Sequence, residues 1–139
     1  MWLPDLATGE SRPRPGSSCA WGYEVSNRLV HCPAAYRAGD LLFVSGQRGL
    51  ADGSLVGGVE AQTAQARSNA QGVLQEHGLS LENVVKCTVF MTAIENFSTI
   101  NEIYAQTFGD HRPSRSAIAV KALPLGGLVE IEAIAHIPG

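Results

Sequence analysis

No run of apolar residues in this chain approaches the ~20 needed to cross a bilayer as a helix; the longest are only a few residues. Runs of Lys or Arg are missing too. With 10 basic and 13 acidic residues the net charge is −3, which is no electrostatic footprint for nucleic acid. Cysteine is scarce: Cys19, Cys32 and Cys87 are an odd number without a CxxC pair. A disulfide framework is therefore not expected, and a reducing, cytoplasmic setting is. The opening residues "MWLPDLATGE" have neither a basic segment nor a long apolar stretch, so they are not expected to act as a secretory signal. The four histidines, His31, His77, His111 and His136, lack metal-ligand spacing. His31 and Cys32 are adjacent and would point opposite ways on a strand, so no metal is expected. No GxSxG, HExxH, Walker or GxGxxG pattern occurs.

What remains is an ordinary packed domain. The chain has 139 residues, 45% of them hydrophobic and 17% charged. Residues 1–18, with "GESRPRPGSS" at their end, read as a flexible extension, and 19–139 as one domain. "AWGYEVSNRLVHC" has the composition of a hairpin or edge strand, and "GDLLFVSGQ" reads as a clearer strand. Asp52-Gly53 signals a tight turn. Residues 59–77 read as a helix, with Val59, Ala66, Ala70, Val73 and Leu74 on one side and Gly78-Leu79 closing it. "VVKCTVFM" reads as a strand with Val85, Cys87, Val89 and Met91 on one face. Thr92 to Glu95 has capping-box spacing before a second helix near 96–108, striped by Phe97, Ile100, Tyr104 and Phe108. Strands near 115–121 and 128–137 complete the chain.

The order strands, helix, strand, helix, strand, strand predicts an α+β fold, a single sheet of about six strands with two helices on one face. The second face, expected to hold Ala117, Ala119 and Ile134, is partly apolar and calls for another subunit.

Few residues carry chemistry on their own. Arg115 opens a strand just after Pro113. Alone, it is most simply a surface charge; alternatively, its planar fork matches a carboxylate. Glu130 and Glu132 share a strand face and are either solvated or placed to orient a water. Ser45-Gly46 ends the first clear strand, as a turn or as a close backbone approach to a ligand. Asn101 is a poor helix former in mid-helix, and Cys87 reads as a small core residue.

Several blocks taken together, "AGDLLFVSGQ", "VEAQTAQARSNAQGVLQEHGLSLENVVKCTVFMT", "NFSTINEIYAQTFG", "RPSRSAIAV" and "VEIEAIA", resemble the reactive intermediate deaminase family, also called the Rid or YjgF family. The resemblance covers about residues 32–137. It implies a chorismate-mutase-like fold and a homotrimer with an inner β-barrel and active sites in the clefts between subunits. It also implies hydrolysis of 2-imino acids, such as 2-iminopropanoate and 2-iminobutanoate, or their enamine tautomers, to 2-keto acids and ammonia, without metal or cofactor. Position by position, Arg115 would grip the substrate carboxylate and Glu130 would position the attacking water. Ser45 and Gly46 would lie at the pocket, with Asn101 as a supporting contact. Two positions depart. Where many members carry "GPYSQA" this chain has "VHCPAA", placing Cys32 where a pocket tyrosine would be, and Ala117 stands where several members have cysteine. The alternatives are a relative acting on a larger imine or enamine, and a non-catalytic trimeric binding or chaperone-like protein.

Overall fold

The computed structural model describes residues 32–139, together with the backbone of Leu3–Pro4 and Ser11–Arg12, which pair antiparallel. The expected lead-in and the strand expected within residues 20–32 lie almost wholly outside the described residues. From there the chain forms β1 (Ala35–Ala38), β2 (Leu41–Arg48), a small hairpin of β3 (Leu50–Ala51) and β4 (Ser54–Leu55), and α1 (Val59–Glu76). It continues through β5 (Val84–Met91), α2 (Phe97–Phe108), β6 (Ser114–Ala119) and β7 (Val129–His136). The main sheet has five strands in the order β1-β2-β7-β5-β6. Only β5 and β6 run parallel. A parallel pair needs a long crossover, and α2 supplies it.

Local chemistry explains the boundaries. Asp52 and Gly53 both adopt positive φ, 51° and 79°, which is the turn a two-residue hairpin demands. α1 ends as its Gly-Leu signal predicts. Gly78 takes φ 71°, its N–H donates to the Gln75 carbonyl, and Leu79 N–H reaches back 2.9 Å to the Leu74 carbonyl. Leu79 is buried beside Leu74, completing a Schellman cap. α2 departs from expectation at its start. The capping box from Thr92 is not formed; a short 3-10 turn, Ile94–Asn96, leads into the helix, and Asn96 precedes it without a side-chain cap bond.

Both helices cover one face of the sheet. Ala66, Ala70, Val73 and Leu74 of α1 and Ile100 of α2 pack on Leu42, Val44, Cys87, Val89, Met91, Val129, Ile131, Ala133 and Ala135. Val84 belongs to this core and Val85 does not. The pairing of β5 with β7 slips between Val84 and Lys86, so the period-two reading is one residue out at the start of β5, and Val85 is exposed. Ala117 is also corrected. It pairs with Val89 and packs, partly buried, against the helix-side core, and Ala119, itself exposed, pairs with the buried Met91, so neither alanine lies on the open face. The open face carries Tyr36, Phe43, Lys86, Thr88, Phe90, Ile118, Glu130, Glu132 and Ile134. Among these, Tyr36, Phe43 and Ile118 are exposed large hydrophobics.

α1 is also tied to the end of β2 by buried polar groups. Asn69 Nδ2 donates to the carbonyls of Arg48 (3.0 Å) and Leu50 (2.9 Å). Gln62 Nε2 donates to the Val56 carbonyl, and Gln62 Oε1 accepts from Leu128 N–H. Between them α1 lies almost on the backbone of Gly49, where an added Cβ would sit 2.5 Å from Gln62 Cα. Backbone cannot yield as a flexible side chain does. Gly49→Ala is therefore expected to destabilise the fold by about 1–3 kcal/mol, measured by chemical denaturation. An unchanged midpoint would contradict this packing.

Candidate active site

The register of β6 on β5 decides where Arg115 points. It pairs with the buried Cys87, so its side chain rises on the helix side of the sheet. There α2 receives it. Arg115 Nη1 donates to Asn101 Oδ1 at 2.7 Å. Its guanidinium carbon lies 4.7 Å from the centre of the Tyr104 ring and 5.7 Å from that of Phe97. Phe97, Asn101 and Tyr104 follow at i, i+4 and i+7, so one stripe of α2 supplies two aromatic faces and one acceptor. A single hydrogen bond uses one of the five guanidinium donors, and Arg115 is exposed.

Beneath this cation lies a neutral, buried layer. Burial pushes the Cys87 thiol above its ordinary 9.0, partly offset by the Tyr104 hydroxyl and then by the nearby Lys86 and Arg115 charges. Burial also pushes the Tyr104 phenol up, helped by Cys87 and opposed by Arg115. The Tyr104 hydroxyl is buried beside the thiol without a hydrogen bond of good geometry. Neither group ionises near neutrality, so this layer adds no charge of its own beneath the guanidinium.

The segment that presents Arg115 is pinned from both ends. His111 Nε2 donates to the Val84 carbonyl at 2.7 Å, Ser114 Oγ donates to the Val85 carbonyl at 3.1 Å, and Lys86 Nζ donates to Ser116 Oγ at 2.8 Å. A carbonyl only accepts, so His111 carries its proton on Nε2.

Glu130 lies on the other face. It pairs across the sheet with Arg48 of β2 and Phe90 of β5, and its carboxylate covers Gly46. A Cβ at Gly46 would sit 2.7 Å from Glu130 Oε1 and 2.8 Å from Cδ, so glycine is what leaves room for the carboxylate. The pairing of β2 with β7 shifts between Val44 and Gln47, forming a bulge at Ser45-Gly46. Ser45 is held by β1's lead-in: its N–H donates to the Ala34 carbonyl (2.9 Å) and its Oγ to the Pro33 carbonyl (2.7 Å). Ser45 and Cys32 then line an open concavity on the uncovered face, with Tyr36, Phe43, Lys86 and Glu132.

The expected site residues thus fall into three groups. Arg115 meets Asn101 on the helix side, with Ala117 further along the same strand face. Glu130 meets Gly46 on the open side. Ser45 and Cys32 share the concavity. Within one chain Arg115 and Glu130 stand on opposite faces of the sheet. Sequence reasoning missed Tyr104, Phe97 and Arg48 as neighbours of these groups. In the sequence the two aromatics form part of an apolar stripe, and the i, i+4, i+7 spacing around Asn101 is the available signal. No group of three or more His, Cys, Asp or Glu that could hold a metal occurs among the described residues, and no helix there is long and apolar enough to cross a membrane.

The model of one family, Endoribonuclease L-PSP, matches residues 26–137. The chain belongs to the Endoribonuclease L-PSP family. A family relative, the 2-iminobutanoate/2-iminopropanoate deaminase of Bos taurus, is 47% identical over 97 residues, covering 68% of this chain and 71% of the relative. Among solved family structures, RidA from an Antarctic Psychrobacter superposes with TM-score 0.76 at 34% identity, covering 78% of this chain and 90% of that one. Escherichia coli TdcF with bound serine gives TM-score 0.75 at 33% identity, covering 79% and 91%. The resemblance to the Rid or YjgF proteins and the α+β fold are both borne out. The family's name, endoribonuclease, and the relative's, imine deaminase, describe two different chemistries.

Proposed function

We propose that this protein, with residues 19–139 as its family domain, hydrolyses small 2-imino acids and their enamine tautomers to 2-keto acids and ammonia. The observation that carries the reading is Arg115: a permanent cation laid on Tyr104, fixed by Asn101 and still rich in donors. A planar carboxylate is what such a fork recognises. The deaminase relative and a neighbouring structure holding serine, an amino acid with a free carboxylate, support it. A net charge of −3 gives no support to RNA cleavage.

The roles follow from the two faces. Arg115 binds the substrate carboxylate and orients the imine carbon. Glu130 of another copy, projecting over Gly46, orients the water. Water adds to the protonated imine carbon to give a carbinolamine, ammonia leaves, and the 2-keto acid remains. Such imines hydrolyse unaided, so positioning and local charge are the main demands on the protein. Because one chain separates Arg115 from Glu130, a complete site needs at least two copies, in keeping with a homotrimer that closes over the half-apolar open face. Ser45 and the backbone of Gly46 would border the pocket.

To test the reading, 2-iminobutanoate is generated by an amino-acid oxidase and its disappearance followed. Faster loss with the protein than in buffer is expected, and equal rates would contradict the assignment. The ring under the guanidinium gives a finer check. Tyr104→Phe keeps the platform and is expected to leave KM near wild type. Tyr104→Leu is expected to raise it by roughly two- to tenfold, the size of a cation–π contact.

One observation favours a broader substrate range. Cys32, where a pocket tyrosine would be, lines the open concavity beside Ser45. A larger imine or enamine would use the space, and comparing turnover of 2-iminobutanoate with that of a bulkier 2-imino acid distinguishes the two.

A further inference from the structure

A carboxylate that orients a water must itself be held in place. Glu130 sits on the sheet's uncovered face, where a carboxylate would ordinarily turn toward water. Two features oppose that. Gly46 offers it a bare backbone to lie against, and Arg48 stands directly across the ladder on the neighbouring strand. Arg48 Nε lies 3.8 Å from Glu130 Oε1, and the side chains are only 18% and 20% exposed.

We propose that Arg48 is a positioning residue for Glu130, holding its carboxylate over Gly46 in the orientation that directs the attacking water. This rests on the role given to Glu130 in the proposed function.

Three observations support it. First, Arg48 is unusually well anchored for a residue at a strand end. Its carbonyl and that of Leu50 both accept from the buried Asn69, and Asn69 is itself oriented by Gln65 at 2.8 Å. Its neighbour Gly49 lets α1 approach to contact distance. The guanidinium therefore hangs from a fixed backbone. Its stem also passes close to Gly127, where an added Cβ would lie 3.6 Å from Arg48 Cδ. Second, Arg48 Nε is buried and has no hydrogen-bond partner, so Glu130 is the group it faces. A buried, charged N–H without a hydrogen-bond partner favours a nearby anion. Third, the separation of 3.8 Å is an ion pair rather than a hydrogen bond. The carboxylate is steered without having its lone pairs consumed, and they stay available to a water.

The test compares wild type with Arg48→Met, Arg48→Lys, Glu130→Gln and the double variant Arg48→Met/Glu130→Gln, all checked for folding by circular dichroism. The substrate probe is 2-iminobutanoate. Arg48→Met is expected to lower kcat by roughly ten- to a hundredfold, the scale of a misplaced catalytic group, while KM is little changed. Arg48→Lys is expected to recover much of the loss. Within the Glu130→Gln background, Arg48→Met is expected to cost nothing further, because there is no carboxylate left to aim. A crystal structure of Arg48→Met is expected to show the Glu130 carboxylate turned away from Gly46. An unchanged kcat for Arg48→Met beside a slow Glu130→Gln would overturn the inference while leaving the deaminase reading intact. So would an equal loss in both backgrounds, or a Glu130 carboxylate that stays put. A Glu130→Gln variant as fast as wild type would instead remove the role of Glu130 itself.

Discussion

Arg115→Ala is expected to lower kcat/KM for 2-iminobutanoate hydrolysis by roughly 10²–10⁴-fold. The figure follows from losing two charge-assisted hydrogen bonds at about 1.5–3 kcal/mol each. Loss of the grip also loses the orientation of the imine carbon, so kcat falls as well as affinity. Arg115→Lys is expected to fail nearly as badly. An ammonium retains the charge but has no fork, and it cannot both cover Tyr104 and reach Asn101, as the guanidinium does at 4.7 Å and 2.7 Å. Folding should be unaffected in both variants, since Arg115 is exposed on an edge strand. Wild-type kinetics from Arg115→Ala would mean that the carboxylate is bound elsewhere.

Glu130→Gln carries the second large effect. It keeps the shape of the side chain over Gly46 and removes the charge that would orient or deprotonate a water. The expected loss is about 10²–10⁴-fold in kcat, the usual range for a positioned general base. KM should move little, because the proposed function gives the substrate carboxylate to Arg115. A rise in KM with kcat preserved would show that Glu130 contributes binding rather than chemistry.

Local signals in the sequence were reliable where the physics is local. Asp52-Gly53 and Gly78-Leu79 specify their turn and cap within a few residues, and both form as read. The capping box at Thr92 was a spacing without a helix start, since the 3-10 turn Ile94–Asn96 displaced the true beginning of α2. Short β1 was missed because four residues, three of them exposed, leave no alternating pattern to detect. Properties fixed by register were not legible. The slip between Val84 and Lys86 moved Val85 out of the core, and the pairing of Ala117 with Val89 moved that alanine into it. The site shows the same division. The family resemblance singles out the residue types of Arg115, Glu130, Ser45 and Gly46. That Arg115 and Glu130 face opposite ways, that Tyr104 is a platform, and that Arg48 stands opposite Glu130 all depend on which strands pair and in what register.

Arg115 and Glu130 stand on opposite faces of the sheet, and the proposed function therefore requires an active site shared between neighbouring copies. Mixing tests it directly. Arg115→Ala and Glu130→Gln chains, each inactive alone, are unfolded, combined in equal amounts and refolded together. Every junction that joins the Arg115 of one variant to the Glu130 of the other is whole. Random assembly should therefore restore roughly a quarter of wild-type activity. Mixed oligomers, confirmed by differently tagged chains, that remain as inactive as either parent would contradict a site shared between subunits.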